Sequence, residues 1–277
     1  MRSENIFLQG IKTPCLLGGE KSEAGAVFVH GNPGSGSDWK TLLNPLSKFI
    51  FVVAPDMPGF GKADKPDDFN YSIEGYKEHL SLLIEHLGLK KVALIVHDFG
   101  GAWGLAWAVE NADKVHSITL INIGLMRDYR WHVFARLWRI PIVGELMMML
   151  PHWLVFKLGL KVGNPRGLPL SYINEIIENF DKKTRRAVLR LYRDTDVSKM
   201  NSTLVNKAVE SLLPKNIPCL VVWGVEDPYV PVKYAEAQKE FFPDAEVILF
   251  EDSGHWPFID NPERFEKVLT NFLKKTQ

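Results

Sequence analysis

Asp98 lies in Val96-His97-Asp98-Phe99-Gly100-Gly101, where an apolar run, Val92 to Val96, meets a segment of small residues. The run reads as a buried parallel strand, and Gly100 to Val109 reads as the helix leaving it. Asp98 is then expected on the sharp turn between them, its carboxylate standing clear at the top of the sheet. A carboxylate attacking an ester or amide forms an anhydride, whereas one attacking a saturated carbon with a good leaving group forms an alkyl ester. Activated water hydrolyses that ester under mild conditions; a serine in the same place would leave an inert ether. The residue type therefore favours displacement at sp3 carbon.

Hydrolysing the ester requires a base that cycles near neutral pH, and an imidazole, with an unperturbed pKa near 6.5, suits that task. His255 is the candidate, in Asp252-Ser253-Gly254-His255-Trp256-Pro257, just before the last helical segment. An acid to orient it is expected after the preceding strand, where Gly224-Val225-Glu226-Asp227-Pro228 offers Asp227, with Glu226 as the alternative. Backbone N–H groups must also meet the oxyanion of the tetrahedral intermediate. Phe99, directly after the candidate nucleophile, and Asn32, in the glycine-bearing turn Val29-His30-Gly31-Asn32-Pro33-Gly34, are the expected donors.

These groups need a scaffold, and the hydropathy pattern supplies one. Strand-like runs recur at Ala26–His30, Ile50–Pro55, Val92–Val96, Ser117–Asn122, Cys219–Trp223 and Glu246–Phe250. Helical patterns separate them at Trp39–Leu46, Ile73–Leu87, Gly101–Val109, Val232–Phe242 and Pro262–Leu273. Such alternation predicts an α/β fold, a mostly parallel sheet covered by helices on both faces. Asn5–Leu8 and Pro14–Leu17 are expected as an antiparallel edge hairpin. Between Asn122 and Pro218 the strands stop and helical patterns broken by proline and glycine take over. The chain thus divides into a core, residues 1–124 and 216–277, and an inserted helical lid, residues 125–215, expected to bound the pocket opposite Asp98.

Taken together, His30-Gly31-Asn32-Pro33, Asp56-Met57-Pro58-Gly59-Phe60-Gly61, Val96-His97-Asp98-Phe99-Gly100, Asp227 and Gly254-His255 resemble the α/β-hydrolase superfamily over nearly the full length. The order nucleophile, acid, histidine is that of this fold. The aspartate marks the branch that includes haloalkane dehalogenases and epoxide hydrolases. Asn32 and Val96 resemble the dehalogenases, in which the side-chain amide matching Asn32 and an indole directly after the nucleophile hold the leaving halide. Here the second position is Phe99, which cannot donate, so a dehalogenase needs another indole, and Trp131, Trp138 and Trp153 lie in the expected lid. An epoxide hydrolase needs lid phenols to protonate the opening oxygen. Tyr192 resembles the family's lid tyrosine, with Tyr172 or Tyr129 as its partner. The resemblance implies a hydrolase of one of these two types, the dehalogenase slightly favoured, and a ligand-binding pseudo-hydrolase is the reading from another class.

Composition bounds the rest. The 277 residues with 46% hydrophobic content can build one large core. Charge balances at 33 basic against 33 acidic residues, which removes a global field for nucleic acid or an anionic membrane and suits a small, neutral, apolar substrate. Cys15 and Cys219, both flanked by apolar residues, are expected as reduced core thiols. His79, His86, His116, His132 and His152 lack carboxylate or cysteine partners at ligand spacing, so neither metal nor other cofactor is expected. His97 and His30 are expected as structural neighbours of the site, and Asp56 as the residue fixing the turn after its strand. Met147, Met148, Met149, Trp153 and Phe156 suit a cap helix, and Arg127, Arg130, Arg136 and Arg139 a solvated or ion-paired helix face. The N-terminal residues lack a secretory pattern, and Ile140 to Leu160 lacks the roughly 20 clean apolar residues of a spanning helix, so a cytoplasmic location is expected.

Overall fold

The computed structural model describes residues 1–150, 163–164 and 166–276. Eight strands form a single sheet in the order β1-β2-β4-β3-β5-β6-β7-β8. They are β1 (Arg2–Leu8), β2 (Ile11–Gly18), β3 (Ala24–Val29), β4 (Phe51–Pro55), β5 (Lys91–His97), β6 (Val115–Ile121), β7 (Cys219–Gly224) and β8 (Glu246–Phe250). β1 and β2 pair antiparallel, β2 lies antiparallel to β4, and every pairing from β4 through β8 is parallel. The edge hairpin is longer than the sequence suggested. The core strands match their hydrophobic runs to within two residues, the ordinary scatter of element ends.

Alternation along the central strands sends side chains to two cores. Val27, Val29, Val53, Leu94 and Val96 pack with α2 (Ile73–Leu87) and α3 (Phe99–Glu110) on one face. Ala26, Phe28, Val52, Ala54 and Ile95 pack with α1 (Lys40–Leu46) and the C-terminal helix (Pro262–Thr276) on the other. α2 shows why its residues are helical. Ser72 caps its start by accepting from the Gly75 N–H, Gly88 ends it at φ 73°, and Tyr76, Leu80, Leu83, Ile84 and Leu87 bury one stripe.

Two helical expectations change in detail. The segment expected as Trp39–Leu46 begins as a 3-10 turn, Gly36–Trp39, because Ser35 and Asp38 form a reciprocal capping box there. Val232–Phe242 shortens to Lys233–Ala237 followed by a 3-10 turn. The reason is Gln238, which is buried, accepts from the Leu125 N–H and donates to the carbonyls of Leu125 and Tyr234.

Between β6 and β7 the described elements are all helical: α4 (Val133–Arg139), α5 (Val143–Met149), α6 (Leu170–Asn179), α7 (Lys182–Asp194), α8 (Val197–Ser211) and a short 3-10 turn. α7 starts on an Asp181 cap and buries Ala187, Val188, Leu191 and Tyr192. The expected single arginine face is not formed. Arg127 pairs with Glu240 ahead of α4, whereas Arg139 reaches the carbonyls of Tyr192 and Thr195. The methionines also divide: Met148 packs on the core while Met149 is 75% exposed. Trp153, Phe156 and His152 lie outside the described residues. Cys15 and Cys219 are buried free thiols. Among the described residues no helix is long and apolar enough to cross a membrane.

The turn after β5 is where packing bears most directly on the site. A methyl group on Gly100 would stand 2.3 Å from the carbonyl oxygen of Val29 and 2.5 Å from that of His30, atoms that cannot rotate away. Gly100→Ala should therefore lower unfolding free energy by about 1–3 kcal/mol in urea titrations, the usual cost of overpacking. Unchanged stability would mean that the two segments are further apart than described.

Candidate active site

Asp98 occupies the bend between β5 and α3 with φ 49° and ψ −128°, a conformation that costs a non-glycine residue energy. Surrounding structure holds it there. A side chain at Gly31 would meet the Asp98 Cβ at 2.4 Å, so only glycine lets the β3 loop approach this closely. The reward of the approach is a hydrogen bond from the Asn32 N–H to Asp98 Oδ1, 2.8 Å. Phe99 opens α3, where the first-turn N–H groups have no acceptor within the helix.

His255, Asp227 and Asp98 come together as the chain order suggested. Nδ1 of His255 donates to Asp227 Oδ2 at 2.7 Å, and Nε2 lies 3.6 Å from Asp98 Oδ2. Between Asp227 and Glu226 the geometry selects the former. Glu226 is exposed, while Asp227 is buried and held on every side. Its Oδ1 accepts from the N–H groups of Tyr229 and Val230 at 2.7 and 3.1 Å, and its Oδ2 accepts from Asn122 Nδ2 at 2.7 Å. Asn122 in turn accepts from the Gly224 N–H at 3.0 Å, so one amide fixes both the acid and its strand end. Sequence reading assigned Asn122 no role. Its signal was a polar residue ending an apolar strand, at the sheet edge where α/β sites gather.

The two neighbouring histidines are structural, as expected. His30 accepts from the Met57 N–H at Nε2, 3.0 Å, which assigns the proton to Nδ1 for donation to the Gly31 carbonyl. His97 donates from Nε2 to the His255 carbonyl at 2.8 Å, and burial drives its pKa down to about 3. Asp56 fixes its turn by accepting from the N–H groups of Gly36 and Lys62.

Aromatic residues close the space above Asp98. Phe99 meets Tyr192 edge-on at 5.0 Å between centroids and Trp131 at 5.8 Å. Tyr192 is buried, and its hydroxyl oxygen lies 3.4 Å from Asn32 Nδ2. Trp131 Nε1 is buried without a partner among the described residues, as are Asn32 Oδ1 and Trp103 Nε1. Trp103 stacks on Tyr76 at 4.0 Å, whereas Trp138 meets Tyr192 at 5.1 Å. Tyr129 donates to the Tyr229 carbonyl at 3.4 Å and packs edge-on against Trp131. Tyr172 is not brought to this group. Its face of α6 carries Glu175 and Ile176 one turn on, and it lines a separate cavity with Gly34 and Asp38. His132 also enters the neighbourhood unannounced, capping α4 through Nδ1 and meeting Tyr229 at 5.1 Å and Tyr192 at 6.2 Å. Trp153, the third expected lid indole, lies outside the described residues.

The electrostatics are those of an imidazole between two carboxylates. Burial opposes charge on His255, but Asp227 and then Asp98 outweigh it and raise the pKa to about 10. Burial likewise opposes charge on Asp98, and His255 outweighs it, bringing the carboxyl down to about 2. The raised value means that the folded chain binds this proton more tightly than the unfolded one. The stabilisation is complete below pH 6.5 and is lost as pH rises through about 10. The stability margin of the native chain over His255→Gln should shrink across that window in denaturant titrations. A margin independent of pH would contradict the ion pair.

Residues 27–262 match a family model described as the alpha/beta hydrolase fold. Among relatives, the chain is similar to a cis-3-alkyl-4-alkyloxetan-2-one decarboxylase of Xanthomonas campestris, 26% identical and covering 96% of this chain and 93% of that protein. It is also similar to epoxide hydrolase 3 of Xenopus tropicalis, 24% identical over 96% of this chain and 76% of that one. Haloalkane dehalogenase DbeA from Bradyrhizobium elkani superposes with a TM-score of 0.86 at 21% identity, over 99% of this chain and 98% of its own. The chain belongs to the alpha/beta hydrolase fold family.

Proposed function

We propose that this hydrolase works through a covalent alkyl ester on Asp98. One carboxylate oxygen attacks a saturated carbon from the side opposite its leaving group; a C–O bond forms as the leaving group takes the bonding electrons. His255 then removes a proton from water, whose oxygen attacks the ester carbonyl. The tetrahedral intermediate collapses with release of the alcohol, which recovers a proton, and Asp98 returns as carboxylate. The Asn32 and Phe99 N–H groups are assigned to the oxyanion. The observation that carries the reading is the placement of Asp98 Oδ1 on a backbone N–H and Oδ2 beside His255 Nε2.

The charge balance also favours two stages. While Asp98 is ionised, two carboxylates keep His255 protonated. Esterification removes one of those charges and lowers the hold on the imidazolium proton, which passes to solvent, so the imidazole becomes a base only after the ester exists. Asp227, held by its three other donors, remains to stabilise the imidazolium that forms.

For the leaving group, a halide is the favoured reading. Phe99 offers no indole, but the buried Trp131 N–H beside it has no partner among the described residues and can donate without giving up a proton. Asn32 Nδ2 supplies the second donor. The second reading is epoxide opening, favoured by Tyr192. When its oxygen accepts from Asn32, the phenolic hydrogen is free to face a substrate oxygen. The helices between β6 and β7 are assigned the role of lid, and a small, neutral, apolar substrate remains the proposal.

Two experiments test this. A single turnover in 18O-labelled water should leave the label in Asp98, seen by peptide mass spectrometry, with unlabelled oxygen in the first product; His255→Gln should accumulate the ester. Label appearing directly in the first product, or an Asp98→Ala variant that retains turnover, overturns the nucleophile assignment. Trp131→Phe should slow bromoalkane turnover by about 10–100-fold, the worth of a hydrogen bond to a charged group, while sparing epoxides. Tyr192→Phe impairing epoxides alone, with no halide release by the native chain, would establish the second reading instead. A native chain that binds these compounds without any adduct would be the pseudo-hydrolase.

A further inference from the structure

The loop carrying His255 is bonded to the segment between β6 and β7 through two side chains, Asn164 and Asp260, to which the proposed chemistry gives no part. Three consecutive backbone N–H groups are involved. Gly254 donates to Asp260 Oδ2 at 2.9 Å, His255 to the Gly163 carbonyl at 3.0 Å, and Trp256 to Asn164 Oδ1 at 3.3 Å. Asn164 Nδ2 closes the chain by donating to Asp260 Oδ1 at 2.8 Å. Asn164 is fully buried. The His255 carbonyl is taken by His97, so both backbone polar groups of the imidazole-bearing residue are fixed from outside its own loop.

From this juxtaposition we infer that Asn164 and Asp260 are positioning residues for His255, a latch through which the segment between β6 and β7 sets the aim of the imidazole. The inference rests on the reading of His255 as the base for ester hydrolysis. Directionality makes it specific. Asp260 has only acceptors and Asn164 uses one acceptor and one donor, so the order of the chain is fixed by which residue carries the amide. Asp260→Asn leaves one link with two facing donors or two facing acceptors however the amides turn. Asn164→Asp sets two carboxylates against each other. Combining both substitutions restores every link: the new carboxylate at 164 accepts from Trp256 and from the amide at 260, whose oxygen accepts from Gly254.

The test is pre-steady-state kinetics with a bromoalkane and an epoxide as probes, following ester formation and ester decay separately, with backbone amide exchange at residues 254–256. Each single variant should slow ester decay by about tenfold or more, as small misplacements of a catalytic group do, while ester formation changes less than about threefold. Amide protection at 254–256 should fall in parallel. The combined variant should recover most of both, and the retained ester formation in each single variant shows that it folds. Equal slowing of the two steps, unchanged protection, or a combined variant no better than either single one overturns the latch. If neither the native chain nor His255→Gln forms an adduct with either probe, the proposed function fails instead. Amide exchange alone then decides the latch, by its loss in the single variants and recovery in the combined one.

Discussion

The site depends on an imidazole held between two carboxylates of unequal freedom. Asp227 is buried and saturated by donors from three segments, so it cannot turn away from His255. Asp98 is tied by one backbone N–H and faces the imidazole across 3.6 Å, longer than a direct hydrogen bond. Under the proposed chemistry, that difference separates a permanent partner from one that changes its charge during reaction. A symmetric arrangement would hold the imidazolium too tightly to act as base at either stage. Much of the surrounding structure, from Asn122 to the close approach of Gly31, maintains the asymmetry.

Most of the scaffold was legible because parallel strands buried on both faces leave an unmistakable record. Val92 to Val96 and Cys219 to Trp223 are uninterrupted apolar runs, and each belongs to a strand flanked by a neighbour on both sides. The three polar residues that converge on the site follow β5, β7 and β8, where the fold brings loop ends together whatever their spacing in sequence. Asp227 and Glu226 are adjacent in sequence, and only the orientation of the turn separates them. The Glu226 backbone donates to Ser253 while its side chain meets solvent.

What was not legible depends on which way a helix faces. Of Tyr172, Tyr129 and Tyr192, only the last resembles the family's lid tyrosine in sequence, and nothing there separates the first two as its partner. Rotation of α6 sends the first toward Asp38, a backbone carbonyl takes the hydroxyl of the second, and the third alone reaches Asn32. Asn164 and Asp260 are similarly silent, since 96 residues separate them and neither lies in a pattern with chemical meaning. Hydrogen-bonded amides acquire a role only when tertiary structure supplies their partners, as Asn122 does for the acid.

The sheet order also has a consequence for partly assembled molecules. Asp98 follows β5, a central strand flanked by β3 and β6, whereas His255 hangs from the last strand, at the margin of the sheet. Margins fray at lower free energy than centres. Under the proposed chemistry, a molecule whose final strand and helix have come away still displays the attacking oxygen but has lost its means of regeneration. Contact with substrate would tag such a molecule once and permanently. Damage would thus accumulate as a chemical mark on chains that open at this end, and the firmness with which the last strand is seated would, under that chemistry, set how many turnovers each molecule completes.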